Sequence, residues 1–204
     1  MSNILNKHEL QILDIFWNEC VNNALEALSK MLNKKVEKTS SLIKIDFLNQ
    51  LTKILEKDIT NTIVYTKMKG PLKCVILLVL PLKNFLRLID ILLHKKIDYY
   101  NALNEENMPV VLELGNIINS YFVSFINKIF DAKFLTELDI STNPSRIIEN
   151  FDFEDVYIKK ISVLLFRSEF QIQVEKIKGE IFLLFEEENA DKFLDMLIKK
   201  LKIV

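Results

Sequence analysis

The sequence predicts an α+β fold in which one domain, residues 1–204, is built from two similar halves. The first observation is a repeat: residues 12–33 (ILDIFWNECVNNALEALSKMLN) can be laid without a gap on residues 110–131 (VVLELGNIINSYFVSFINKIFD), at an offset of 98 residues. The second is that both stretches have the apolar spacing of a long amphipathic helix. The third is that each is followed by strand-like segments and a closing helix, with no linker rich in Pro, Gly or Ser between the halves. The internal repeat is therefore expected to cover about residues 6–97 and about residues 104–204.

Composition and charge argue against several classes of protein. The 204 residues can bury a substantial core, and a content of 50% apolar and 27% charged residues is typical of a chain that folds in water. Lys and Arg (27) nearly balance Asp and Glu (28), whereas a nucleic-acid-binding protein usually carries a basic excess. Cys20 and Cys74 lack a CxxC motif or a Cys/His cluster, which favours two buried thiols over a metal site. We therefore expect no nucleic-acid partner and no metal in this chain.

The apolar segments predict no membrane insertion. The longest apolar run, residues 74–82 (CVILLVLPL), is about half as long as a membrane-spanning helix requires. The first residues, MSNILNKHELQILD, carry acidic and polar residues inside their apolar pattern, unlike a signal peptide. The expected location is the cytoplasm.

The first half is predicted to begin with a helix that starts near residues 6–8 and ends near Asn33. Residues 34–45 (KKVEKTSSLIKI) are predicted to form a strand with a turn, because their apolar residues lie among turn-prone polar ones. Residues 47–57 (FLNQLTKILEK) return to helical spacing and predict a short connecting helix.

A hairpin is predicted around the KGP break at residues 69–71, with residues 59–68 and 72–80 as its strands. The second strand is apolar at nearly every position, as expected of a strand that is covered on both faces. Pro81 ends this strand. Residues 84–96 (NFLRLIDILLHKK) then predict the closing helix, with basic residues in its last turn, where they suit the helix dipole.

The second half is predicted to follow the same order. After its long helix, residues 134–140 are predicted to be a strand and residues 144–150 a short helix. Residues 157–177 are rich in strand signals, because apolar and polar residues alternate as far as Val174.

The closing units of the two halves also match. The KG pair at residues 178–179 is interpreted as the counterpart of the KG pair at residues 69–70, each followed by an apolar strand. The helix predicted at residues 192–201 (KFLDMLIKKL) resembles the closing helix of the first half. The repeat is therefore expected to extend well beyond the two long helices.

Each long helix is predicted to carry a narrow polar stripe opposite its apolar side, since successive residues are about 100° apart around a helix. On the second helix the stripe consists of Glu113, Asn116, Ser120, Ser124 and Asn127. At the offset of 98 residues the matching positions on the first helix are Ile15, Asn18, Asn22, Glu26 and Ser29. The apolar sides are expected to lie in the core, and the stripes to face solvent or a partner.

These features carry a family resemblance. The segment LELGNI (residues 112–117), its repetition one half-chain earlier and the closing strand–helix units resemble the CheC/CheX/FliY family of response-regulator phosphatases, and CheC most closely. The resemblance covers nearly the whole chain. It implies a CheC-like single domain of two pseudo-symmetric halves, with a mainly antiparallel β-sheet and two long Glu-x-x-Asn-type helices packed on it. It also implies a chemotaxis phosphatase that dephosphorylates the phospho-aspartate of a CheY-type response regulator.

The resemblance assigns roles to particular residues. Glu113 would pair with the active-site lysine of the regulator, and Asn116 would enter its acidic pocket and orient the attacking water. Such positioning suits phosphoryl transfer, in which orientation and electrostatics supply most of the catalysis. In the first copy Asn18 is the matching asparagine, and Ile15 occupies the position of its Glu partner. The resemblance implies no cofactor in this chain, because the regulator would supply Mg²⁺ together with the phosphorylated carboxylate.

Two alternatives remain open. The pair Glu19 and Asn22, one turn further along the first helix, could stand in for the missing pair. Glu186 and Asn189 repeat the same spacing and are interpreted as a polar turn at the end of an apolar strand.

The alternative function is a non-catalytic CheC-like adaptor that binds CheY, the deamidase CheD or the flagellar or archaellar motor machinery. The proline that the family carries 23 residues beyond each Asn would fall on Ser41 and Asp139, and neither is Pro. The loss of both prolines and of the first Glu favours the adaptor.

Overall fold

The computed structural model describes residues 5–55, 61–96, 108–131, 133–141 and 162–201. The helices of this part are α1 (Lys7–Leu32), α2 (Leu48–Leu55), α3 (Leu82–Leu93), α4 (Met108–Phe130) and α5 (Glu187–Leu201). The strands are β1 (Glu37–Phe47), β2 (Asn61–Lys69), β3 (Cys74–Pro81), β4 (Leu135–Ser141), β5 (Ser162–Ile172) and β6 (Ile177–Glu186). The short helix predicted at residues 144–150 lies outside the described residues.

A capping box starts the first long helix. The Asn6 side chain accepts a hydrogen bond of 2.9 Å from the Glu9 N–H, and the Glu9 carboxylate accepts one of 2.8 Å from the Asn6 N–H. These bonds satisfy backbone donors that the first turn of a helix leaves unpaired. Asn33 ends the helix in the left-handed conformation, with φ at 50°. The boundaries predicted for α1 are therefore confirmed.

The six strands form one antiparallel sheet in the order β1-β5-β6-β3-β2-β4. The two central strands, β3 and β6, come from different halves of the chain and pair directly. Each half also contributes the edge strand next to the other half: β1 pairs with β5, and β4 pairs with β2. The predicted α+β fold with a mainly antiparallel sheet is confirmed, and the two halves share that sheet.

An apolar layer covers each face of the sheet. On the larger side, residues of α1, α3, α4 and α5 pack against strand residues such as Val64 and Phe166. On the other side, α2 packs Leu51 and its apolar neighbours against residues that include Tyr65. Successive strand residues point to opposite faces, so a strand covered on both faces is apolar throughout. All residues of β3 before Pro81 are buried, as its apolar sequence predicts.

The 98-residue offset relates the ends of the two long helices. Asn33 ends α1 with φ at 50°, and Asp131 follows α4 with φ at 49°. The Ser29 hydroxyl accepts a hydrogen bond of 2.9 Å from the Val36 N–H. At the matching positions, the Asn127 side chain accepts one of 3.2 Å from the Phe134 N–H. The last polar residue of each stripe therefore ties its helix to the start of the following strand.

The prediction of a strand with a turn at residues 34–45 is wrong in one respect. β1 is a continuous strand, and the polar run contains a bulge at Thr39 instead of a turn, because the pairing with β5 shifts by one residue there. β1 lies at the edge of the sheet, where polar side chains face solvent on the open side. A polar run at such an edge has the composition of a turn without being one.

The turn between β5 and β6 also differs from the prediction. β5 ends at Ile172, and the alternation predicted to reach Val174 stops there, because residues 173–175 form a 3₁₀ turn that leaves Val174 75% exposed. The pair Lys178 and Gly179 lies inside β6, whereas Lys69 and Gly70 lie where β2 ends, so the two pairs are not counterparts. A Cβ on Gly179 would lie 2.5 Å from the Phe170 ring, so this glycine makes room for a core side chain.

Candidate functional site

The second long helix, α4, packs its apolar side into the core and leaves its polar stripe outside. Leu114, Ile118 and Phe122 are buried, whereas Glu113 and Asn116 are exposed. Within the described residues α4 is the one helix long and apolar enough to cross a membrane by length and composition, with a mean hydropathy of 1.3. Core helices pass the same test. The apolar side of α4 packs in the core, and 35% of the window that passes this test is buried.

Gly115 brings α4 unusually close to the sheet. A Cβ at this position would lie 2.5 Å from Val64 Cγ1 and 3.3 Å from a methyl group of Leu138. Real Cβ contacts are longer than the first of these distances, so a larger residue would push the helix outward. Gly115 lies between Glu113 and Asn116 in sequence, and its close approach therefore sets how far those two side chains stand from the sheet.

Replacing Gly115 by Ala is expected to lower the free energy of unfolding by up to about 2 kcal/mol. Overpacking against the stiff Val64 side chain costs about 1 to 3 kcal/mol, which the higher helix propensity of alanine offsets by about 1 kcal/mol. Denaturant unfolding measures the difference. The matched control is Ser124→Ala, at an exposed position of the same helix, which should be neutral or slightly stabilising. A Gly115→Ala protein more stable than the parent would contradict the close packing described.

Glu113 and Asn116 form a small, accessible polar pair on the outer face of α4. Both side chains are exposed and three residues apart, which places them on neighbouring positions of one helix face. In the part of the chain that the structure describes, neither side chain has a hydrogen bond or an ion pair. A carboxylate in this setting can pair with a cation, and a carboxamide can both donate and accept hydrogen bonds. The pair is therefore free to engage a partner through both residues.

The corresponding face of α1 is chemically different. Ile15, at the position that matches Glu113, is 54% exposed. Asn18 is half-buried, and its side-chain oxygen accepts a hydrogen bond from the Lys38 ammonium group of β1. The residue that matches Lys38 in the second half is Thr136, which is too short for the same contact. The structure thus leaves Asn116 accessible and engages Asn18 within the protein.

The two other Glu-x-x-Asn pairs lie in different settings. Glu19 and Asn22 are both exposed on α1, one turn beyond Asn18. Glu186 ends β6, and Asn189 lies in α5, where its side chain accepts a hydrogen bond of 3.1 Å from the Lys73 N–H. The polar turn predicted for Glu186 and Asn189 is therefore wrong: the segment is a strand-to-helix junction, and Asn189 bonds to the loop between β2 and β3.

The thiols add no chemistry to the candidate site. Cys20 and Cys74 are free and buried, as predicted. Burial raises the pKa of both thiols above the ordinary value, so both stay protonated at neutral pH and neither is a nucleophile. Among the described residues, no group of three or more His, Cys, Asp or Glu side chains could hold a metal ion.

A buried polar contact beneath α4 was missed by sequence reasoning. Asn119 is 3% exposed, and its side-chain amide donates a hydrogen bond to the hydroxyl of Thr66 on β2, which is 2% exposed. The polar stripe of α4 excludes Asn119, because this residue points towards the apolar side. In the sequence, Asn119 is visible only as one amide among the apolar positions of the helix. That pattern does not identify Thr66 as its partner.

Comparison with known proteins identifies the fold. No family model and no curated protein matches the chain. Solved structures do match, and the fold is that of the CheC/CheX/FliY proteins. The chain is similar to FliY from Thermotoga maritima over 97% of its own length and 99% of that chain, with a TM-score of 0.68 and 15% identity.

Two further structures share the fold. The FliM middle domain from H. pylori matches 94% of this chain and 99% of its own, with a TM-score of 0.65 and 11% identity. A CheC-like superfamily protein from Shewanella sp. PV-4 matches 84% of this chain and 97% of its own, with a TM-score of 0.57 and 14% identity. At these identities the likeness establishes the fold, and the function has to be argued from the site.

Proposed function

We propose that this chain is a chemotaxis phosphatase that dephosphorylates the phospho-aspartate of a CheY-type response regulator, mainly through Glu113 and Asn116. One observation carries the proposal: these two side chains stand exposed together on the outer face of α4, without a partner among the described residues. The fold, which CheC-like and CheX proteins share, supports the same activity. The protein would act in the cytoplasm, where its substrate regulator is found.

The proposed mechanism depends on positioning. The Glu113 carboxylate pairs with the active-site lysine of the regulator and sets the register of the complex, since charge-assisted hydrogen bonds are strong and directional. The Asn116 carboxamide enters the acidic pocket and orients a water for in-line attack on the phosphorus. The P–O bond to the aspartate breaks, and the products are inorganic phosphate and the free carboxylate. Mg²⁺ held by the regulator would neutralise charge on the phosphoryl oxygens.

The first half would contribute less to catalysis. Its asparagine, Asn18, is held by Lys38, and Ile15 lacks the charge needed to pair with a lysine. Glu19 and Asn22 are exposed and form the alternative pair on that helix. We assign the main site to α4, and the α1 asparagines Asn18 and Asn22 are the matched positions that test this assignment.

The second candidate function is a non-catalytic adaptor of the same fold. Two observations favour it: the first-half site lacks its Glu, and FliM structures resemble the chain, one of them a FliG–FliM complex from H. pylori with a TM-score of 0.63. Such an adaptor would bind a CheY-type regulator, CheD or a component of the motor machinery.

Phosphate release separates the two functions. The protein is mixed with a CheY-type regulator charged with acetyl phosphate, and the rates of phosphate release with and without the protein are compared. If the protein is a phosphatase, phosphate release should be faster even at substoichiometric amounts of protein. A complex that forms on a sizing column without faster release would support the adaptor and reject the phosphatase.

A further inference from the structure

The underside of α4 touches the sheet at two points one helical turn apart. Gly115 lies against Val64, and Asn119 donates a hydrogen bond to Thr66. Four residues of an α-helix advance about 6 Å, and two residues of a strand advance about 6.6 Å. The two contacts therefore match in spacing along β2. A helix that is held at two such points has little freedom to rotate about its axis or to slide along the strand.

The second contact is not the arrangement that stability alone would favour. The Asn119 side-chain oxygen is buried and has no hydrogen-bond partner among the described residues. An unsatisfied buried acceptor destabilises a protein, and replacing both partners of a buried hydrogen bond with apolar groups of similar shape is often neutral or stabilising. The positions around Asn119 on the same side of the helix, Ile118 and Phe122, are apolar. An amide at this place therefore calls for a reason other than core stability.

The first half lacks the two-point contact. At the 98-residue offset, Trp17 matches Gly115 and Val21 matches Asn119, and both are fully buried. A buried hydroxyl is still present on the corresponding strand of the sheet: Ser168 pairs with Ser41 of β1, just as Thr66 pairs with Leu138 of β4.

That hydroxyl, however, does not reach the helix. The Ser168 hydroxyl lies 3.2 Å from the hydroxyl of Ser41, so it bonds to the neighbouring strand. Among the residues described, a sheet hydroxyl therefore bonds to α4, the helix that carries Glu113 and Asn116, while the matching hydroxyl does not bond to α1.

We infer that Asn119 is a positioning residue that, through Thr66, fixes the rotation and axial position of α4 on the sheet. It thereby sets the orientation in which Glu113 and Asn116 meet the regulator. This inference rests on the proposed phosphatase function. Asn119 itself is buried and touches neither the regulator nor the phosphate. Its effect is on the orientation of the exposed pair one turn away.

The test uses Thr66, where an isosteric change removes the hydroxyl. Thr66→Val is expected to lower kcat for phosphate release by roughly 10- to 100-fold, the loss that a displacement of about 1 Å causes in an oriented reaction. KM should change by less than about twofold, because the residues that contact the regulator are themselves unaltered. Thr66→Ser keeps the hydroxyl and should restore kcat. The matched control is Ser168→Ala, which removes the corresponding hydroxyl on β5, away from α4, and should leave kcat unchanged.

A double variant separates positioning from stability. Asn119→Leu with Thr66→Val removes both polar partners and is expected to melt at or above the parent temperature while kcat stays low. The inference is overturned if the folded double variant or Thr66→Val alone keeps the parent kcat, or if Ser168→Ala lowers kcat as much as Thr66→Val.

If the parent protein does not accelerate phosphate release, the proposed function fails and amide hydrogen exchange still tests the positioning. Thr66→Val should then speed exchange in α4 and leave α1 unchanged. Equal exchange in parent and variant would overturn the inference on its own.

Discussion

Asn116→Ala is expected to lower the rate of phosphate release from the phosphorylated regulator by about 100-fold or more. The carboxamide is assigned the orientation of the attacking water, and removing one group that orients or stabilises a transition state typically costs about 10²- to 10³-fold. Asn116 is exposed, and no contact among the described residues depends on its side chain. The variant should therefore keep the parent circular dichroism spectrum and melting temperature.

The control for this variant is Ser120→Ala, one turn further along the same stripe. Ser120 is exposed, and its hydroxyl donates only a local hydrogen bond of 2.8 Å to the Ile117 carbonyl. Its removal should change the rate of phosphate release by less than about threefold, since no transition-state contact is assigned to it. Equal losses in the two variants would mean that the face contributes binding surface alone, and undiminished release in Asn116→Ala would remove the catalytic assignment.

Trp17→Ala is expected to be the most destabilising single change in α1, with a loss of about 3 to 5 kcal/mol in the free energy of unfolding. The Trp17 side chain is fully buried and packs with its ring centroid 5.8 Å from Phe122 of α4 and 5.4 Å from Phe166 of β5. Its indole N–H has no hydrogen-bond partner among the described residues, so the loss reflects packing and the cavity left behind.

Denaturant unfolding followed by circular dichroism measures this loss. Val174→Ala serves as the apolar control, because Val174 is 75% exposed and its removal should change stability by less than about 0.5 kcal/mol. If the free energy of unfolding of Trp17→Ala is within about 1 kcal/mol of the parent value, the loss is far below that of a core substitution. Such a result would show that the Trp17 side chain does not hold α1 and α4 together.

The parts of the fold with strong periodic signals could be predicted from the sequence. The two long helices and the apolar strand β3 follow directly from the spacing of their apolar residues. The placement of Glu113 and Asn116 on the exposed face of α4 also follows from helical geometry, because residues three apart share a face. Ser29 and Asn127 show the limit of that geometry. Both fall in the polar stripes, yet each bonds to the backbone of the following strand.

The remaining features depend on contacts between distant parts of the chain. The bulge at Thr39 arises from pairing between β1 and β5, which no local pattern encodes. The sequence predicts that Gly179 is the counterpart of Gly70, whereas the structure places Gly179 inside β6, against the Phe170 ring on the adjacent strand. The bonds of Asn18 to Lys38 and of Asn119 to Thr66 likewise join separate elements. These two bonds distinguish the halves and add to the asymmetry that Ile15, at the position of Glu113, already shows in the sequence.

The most direct test of the central claim compares matched double variants of the two long helices. Multiple-turnover phosphate release from the phosphorylated regulator is measured for the parent, for Glu113→Ala with Asn116→Ala, and for Asn18→Ala with Asn22→Ala, at equal protein concentrations. The account predicts that the α4 variant releases phosphate at the regulator's own rate, while the α1 variant keeps more than half of the catalysed rate, as a factor below about two is expected for groups outside the main site. Loss of the catalysed rate in the α1 variant, with release maintained in the α4 variant, would contradict it.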